Sequence, residues 1–141
     1  MFNLDARQLT PYLTMHDTRA ALDFYGKVFG ATWDEPMMAE DGKRIMHVTA
    51  HVAGQPLMMS DAFPEFGNVE GPDKQRGSPV CISLQLQKPE DIDALYEKAL
   101  AHGAEGTSPP EDMFWGDRFA QFADPQGHRW MLTALLPKTG S

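Results

Sequence analysis

The chain has 141 residues, with 20 Asp and Glu against 12 Lys and Arg and a formal net charge of −8, a length that suits one compact domain or two small halves sharing a core. No Lys/Arg cluster supplies the basic patch that nucleic acid requires, and the acidic balance disfavours anionic membrane surfaces. Cys81 is the single cysteine, which excludes an intramolecular disulfide and a Cys-based zinc site. No charged segment runs into an apolar one at the start and no apolar run approaches the ~20 residues of a membrane span, so a reducing cytoplasm is the expected location.

Gln8–Met15 alternates as a strand does, with Leu9, Pro11, Leu13 and Met15 to one side and Thr10, Tyr12 and Thr14 to the other. Asp17 reads as a helix N-cap. Ala21, Phe24, Tyr25 and Val28 recur at helical spacing and Gly30 is a natural C′ residue. Strands are expected at about 31–38, 43–53 and 56–60, joined by turns at Glu40-Asp41-Gly42-Lys43 and Ala53-Gly54-Gln55-Pro56. Phe63 to Pro79 is rich in Pro and Gly, has no period and reads as a connector.

The pattern then restarts. Val80, Ile82, Leu84 and Leu86 alternate with Cys81, Ser83, Gln85 and Gln87; Pro89 stands where a first helical turn begins. Ile92, Leu95, Tyr96, Ala99 and Leu100 form an apolar stripe that Gly103-Ala104 ends. Last comes a hairpin, 117–123 and 128–135, around Asp124-Pro125-Gln126-Gly127, where Pro125 presets φ and Gly127 accepts φ > 0. The expected organisation is a duplication of strand, helix and several strands in one α+β domain, 1–141: module one at about 8–62, connector at about 63–79, module two at about 80–136. Each helix covers one sheet face, and the bare faces must curl together or meet a partner.

The opening strand, the Asp-capped helix and its exit through Val28-Phe29-Gly30-Ala31 resemble the vicinal-oxygen-chelate superfamily of glyoxalase I, bleomycin-resistance proteins and extradiol dioxygenases. Ile45-Met46-His47, Leu57-Met58-Met59-Ser60-Asp61 and Met113 to Trp130 look like its PhnB-like branch, labelled demethylubiquinone methyltransferase-like. The resemblance covers residues 8 to about 135. It implies two βαβββ modules whose curved mixed sheets surround a small-molecule cavity, commonly in a homodimer. It also implies metal ligands on the concave faces, from the first and last strands of each module. Carried across by helix starts and turns, those positions fall on Thr10, Met58, Cys81 and Met131. Only Cys81 among them is a usual donor for Zn, Ni, Mn or Fe(II), and it lacks partners. The expectation is no metal and no cofactor.

His47 and His51 share a strand face but stand roughly 13 Å apart along it, too far for one ion. Met46, Val48, Ala50 and Val52 are expected against the helix, leaving Ile45, His47, Thr49 and His51 towards cavity or solvent. Tyr12 is the expected phenol of the pocket and Trp115 a lid; Met131 should face the cavity and Trp130 the helix layer. Asp117 and Arg118 could pair with each other or with a substrate. His16, His102 and His128 read as local residues of helix ends and turn. No Gly-x-Gly-x-x-Gly turn supports S-adenosylmethionine-dependent methyl transfer, and neither a P-loop nor a Gly-x-Ser-x-Gly elbow is present. The expected ligand-binding set is thus Thr10, Tyr12, His47, Met58, Cys81, Trp115 and Met131, in a metal-free protein that binds or sequesters a small molecule. The alternative is a metal-dependent or His-assisted lyase, isomerase or dioxygenase.

Overall fold

Each half of the chain lays its first strand beside its last. The computed structural model describes residues 2–67 and 70–138; positions 68 and 69 of the expected connector lie outside the described residues. In the first half, β1 (Tyr12–Met15) leads into α1 (Thr18–Phe29), followed by β2 (Thr32–Trp33), β3 (Met37–Met38), β4 (Ile45–Val52) and β5 (Gln55–Asp61). β1 runs parallel to β5, Tyr12 opposite Met58; β5 is antiparallel to β4, and β2 and β3 both pair with β4. After a 3-10 turn at Pro64–Phe66 come β6 (Cys81–Gln85), α2 (Pro89–Ala101), β7 (Glu105–Asp112), β8 (Asp117–Ala123) and β9 (Arg129–Leu135). Their order is β6-β9-β8-β7, with β6 parallel to β9 and the rest antiparallel. This is the expected α+β fold of two mixed sheets.

Local chemistry explains the helix ends. Asp17 is extended and its side chain accepts from Ala20 N at 3.2 Å. The Asp61 carboxylate adds a second cap, accepting from Thr18 N at 2.8 Å and from Ile45 N at 2.6 Å. Gly30 closes α1 at φ 68°, in the left-handed region. α2 has no side-chain cap and starts with Pro89 in its first turn, followed by Glu90 and Asp91 against the positive helix end.

Three strand expectations are corrected. β1 begins at Tyr12, so Thr10 lies in the lead-in, where its Oγ1 accepts from the Gln8 side chain. Pro11 has no N–H for a ladder, and only its carbonyl is used, by Met58 N at 3.1 Å. The 31–38 strand is split into two dipeptides around Asp34-Glu35-Pro36. In β4 it is Ile45 that is buried while Met46 is exposed, because the β3 register jumps from His47 to Ile45 and leaves Met46 as a bulge. From Val48 onward the expected alternation holds.

The outer sides of the two sheets share one core. Tyr25 and Phe29 of α1 pack on Trp130, with ring centroids 5.4 and 4.6 Å away, and Phe24 meets Phe122. Within this packing stands Asp124, 4% exposed. Its Oδ2 accepts from Tyr25 Oη at 2.5 Å and Trp130 Nε1 at 2.9 Å; its Oδ1 accepts from Gln126 N at 2.9 Å and His128 N at 3.0 Å. Gln126 in turn takes the Asp17 N–H at 2.8 Å. Thus the β8–β9 turn is pinned to the N-cap and to the body of α1. Burial first, and the Asp124 carboxylate second, push the Tyr25 phenol well above its ordinary range.

Candidate ligand site

Tyr12, His47 and Met58 come together on the inner face of the first sheet. Met58 is opposite Tyr12 on one side and Thr49 on the other. Tyr12 Oη hydrogen-bonds His47 Nδ1 at 3.0 Å, and His47 Nε2 hydrogen-bonds Thr49 Oγ1 at 3.2 Å. Either neutral imidazole tautomer satisfies this string, because both hydroxyls can donate or accept. Ser60, two residues beyond Met58, has its hydroxyl oxygen buried with no hydrogen-bond partner among the described residues. His51 is exposed beside the β4–β5 turn.

Cys81 and Met131 form a second group on the other sheet. Gln121 Nε2 donates to Cys81 Sγ at 3.3 Å, and Met131 is opposite both Ser83 and Gln121. Cys81 is half-buried rather than fully buried. Met131 is partly exposed while Trp130 is buried towards the helices, as alternation requires. Trp115, 55% exposed in the β7–β8 turn, touches Phe114 and Phe119 with centroids 5.0 and 6.5 Å away. A cavity of about 530 Å³ between the halves includes Tyr12 and none of the other six expected residues. A single chain therefore presents two inner-face groups, with Thr10 outside both.

Several polar residues take other roles. Arg118 pairs with Asp93, at 2.6 and 2.8 Å, and with Asp112 at 2.7 Å, not with Asp117. Its guanidinium holds the Asp93 carboxyl below the usual carboxylate range. His16 reaches the connector, Nε2 to Pro72 O at 2.7 Å, and His128 reaches β1, Nε2 to Thr14 O at 2.8 Å. Both are straps between segments far apart in sequence, whereas their neighbours suggest only local roles.

The donor set does not fit the divalent ion that the resemblance implies. Among the described residues no three His, Cys, Asp or Glu side chains gather to hold one. The four implied positions supply one hydroxyl, one thiol and two thioethers. A second copy of the chain would bring more of the same donors. Among the described residues, no helix is long and apolar enough to cross a membrane.

Paired mixed sheets, each with one helix and a first strand returned beside the last, define the class, and the chain matches the Glyoxalase/Bleomycin resistance protein/Dioxygenase superfamily over residues 8–132. It belongs to that superfamily. Similar relatives include the uncharacterized proteins Mb0911c of Mycobacterium bovis and Rv0887c of Mycobacterium tuberculosis. Each is 36% identical over 126 residues, covering 88% of this chain and 80% or 72% of the relative. Among solved structures, PA1353 from Pseudomonas aeruginosa has a TM-score of 0.75 at 26% identity, covering 94% of this chain and 100% of that one. A superfamily protein from Nocardioides has 0.67 at 29%, covering 98% and 91%. A PhnB protein from Bacillus cereus, described as a putative 3-demethylubiquinone-9 3-methyltransferase, has 0.72 at 18%, covering 91% and 99%, and shares the fold.

Proposed function

We propose that this protein binds or sequesters a small, partly apolar molecule without a metal, on the inner faces of its sheets. The observation that carries the reading is the Tyr12–His47–Thr49 string, set on an open sheet face beside Met58. Thioethers supply adaptable apolar contact, while the phenol and imidazole orient a ligand. A homodimer in the cytoplasm is part of the proposal. Exposed Tyr12, Met37 and Met46 in the first half, and Val80, Trp115 and Leu135 in the second, are the apolar surface a second copy would cover. The FosX neighbour from Listeria monocytogenes is described as a fosfomycin resistance protein, and its likeness supports the fold on which this reading depends.

A second reading, a His-assisted lyase or isomerase, has one observation in its favour. Tyr12 can give its proton to His47 Nδ1 while accepting one from a bound molecule. A thermal-shift screen of a small-molecule library tests the binding reading. Hits that lose affinity in Tyr12→Phe and His47→Gln support it. Hits turned over by the unmodified chain favour the enzyme. Stoichiometric Ni, Zn, Mn or Fe in purified protein, or a library without hits, counts against both.

A further inference from the structure

The cavity of about 530 Å³ is not lined by His47, Met58 or Met131; it lies on the other side of Tyr12, where the start of β1 faces the starts of β6 and β9 under the connector. Its guanidinium differs from those of the other two partly buried arginines. Arg44 is tied to Asp41 and Glu65, each at 2.7 Å, and Arg118 to Asp93 and Asp112 at 2.6 and 2.7 Å. Arg129, also partly buried, lines the cavity and, among the described residues, donates only to Ser78 O, at 3.3 Å. Among the described residues no carboxylate comes within ion-pairing distance of it, in a chain with 20 Asp and Glu. A guanidinium has five N–H donors in a planar fork that matches a carboxylate.

The surrounding walls are in large part apolar and are tied to their neighbours. Pro11, Pro72, Pro79 and Val80 line the cavity beside Tyr12. The connector wall is strapped down by His16 on Pro72 O, at so close a pass that a Cβ on Gly71 would lie 2.9 Å from the His16 ring. His128 ties the β9 wall to β1. Little ordering then accompanies binding. Glu70 and Asp73 stand on the connector side, and the Asp73 carboxylate is used by Gln75 N and Arg76 N. The two carboxylates repel any anion, in proportion to its charge, so the single guanidinium favours a singly charged ligand over a multiply charged one.

We propose that this crevice binds a small apolar monocarboxylate, its carboxylate on Arg129 and its body against the proline walls. The site shares only Tyr12 with the inner-face reading and does not rest on it. The test is calorimetric titration of the full chain with 3-phenylpropionate, 3-phenylpropanamide and 3-phenylpropylamine. The acid should bind saturably at one site, the amide at least about tenfold more weakly and the amine not at all. Arg129→Met should weaken the acid by at least about tenfold and Arg129→Lys by less, because a point charge replaces the fork. Amide shift changes on adding the acid should centre on Ser78, Val80 and Arg129, away from His47 and Met58. No saturation by the acid below about 10 mM overturns the proposal. So does equal affinity for acid and amide, both measured on the unmodified chain. Unchanged affinity in a folded Arg129→Met protein, or shifts centred on His47, does the same.

Discussion

The two halves have the same strand order and opposite habits on their inner faces. The first carries a hydrogen-bonded phenol, imidazole and hydroxyl, Tyr12, His47 and Thr49. The second carries a thiol, an amide and a thioether, Cys81, Gln121 and Met131, with Phe119 and Trp115 alongside. Their outer sides, by contrast, fuse into one core through Tyr25, Asp124 and Trp130. The lesson is that duplication constrains the side that packs and leaves the other free to diverge. The partly buried arginines follow the same division: Arg118 stitches α2 to the second sheet and Arg44 stitches the β3–β4 turn to the connector, whereas Arg129 makes one long bond to Ser78 O.

The sharpest way to break this contrast is at the joint. Asp124→Ala leaves a buried phenol, an indole N–H and two backbone N–H groups without their acceptor. It should cost about 3–4 kcal/mol in urea unfolding, with Asp124→Asn recovering part through its carbonyl oxygen. Tyr25→Phe removes one of those donors and should cost about 1–2 kcal/mol. Its pH signature is distinct. The folded phenol titrates far above the unfolded one, so its contribution is full below about pH 10 and declines as pH rises beyond it. Urea midpoints at pH 9 and 11 should differ more in the parent than in Tyr25→Phe.

Smaller effects sharpen the comparison at the edges of each half. Backbone N–H groups of Arg44 and Lys43, then the Arg44 side chain, hold the Asp41 carboxyl at about 2. That support is present above about pH 4 and is lost as pH falls through 2. An acid titration followed by fluorescence should show a shallower slope there in Asp41→Asn. Arg118→Met, in a partly exposed cluster, should cost at most about 1 kcal/mol, read as faster amide exchange in α2. Tyr12→Phe and His47→Gln should change stability by no more than about 0.5 kcal/mol, since Tyr12 is exposed. For a ligand found by screening, each should lower affinity about fivefold, the worth of one hydrogen bond.

What the sequence revealed was local. Caps at Asp17 and Gly30, Pro89 in its first turn, and the 124–127 turn are written in a few adjacent residues, and all are present. The alternation of β9 is equally local, while the assignment of Trp130 to the helix side and Met131 to the inner face comes from the family resemblance. The exposure of Met46 is not written in its own strand, because a bulge depends on the register of the neighbouring strand. Asp117 was the obvious partner for Arg118, yet Asp93 lies 25 positions away on α2. The buried work of Asp124 was hidden behind its ordinary role in a turn; an Asp in a turn flanked by aromatic strands was the one available signal. Tyr12 and His47 could be placed on inner faces by alternation, but their contact spans 35 positions and needs the sheet.

The return of each first strand to its half's last strand has a consequence for biosynthesis. Among the described residues β1 pairs only with β5, and β6 only with β9. A ribosome that has released Tyr12–Met15 must still translate to Asp61 before that segment finds its ladder; the second half repeats the wait until Leu135. Such late closure slows folding and leaves strands exposed to other nascent chains in the interval. A premature stop between Ala123 and Arg129 would leave β6 without its ladder, so β9 decides whether the strand that opens the second half can join a sheet.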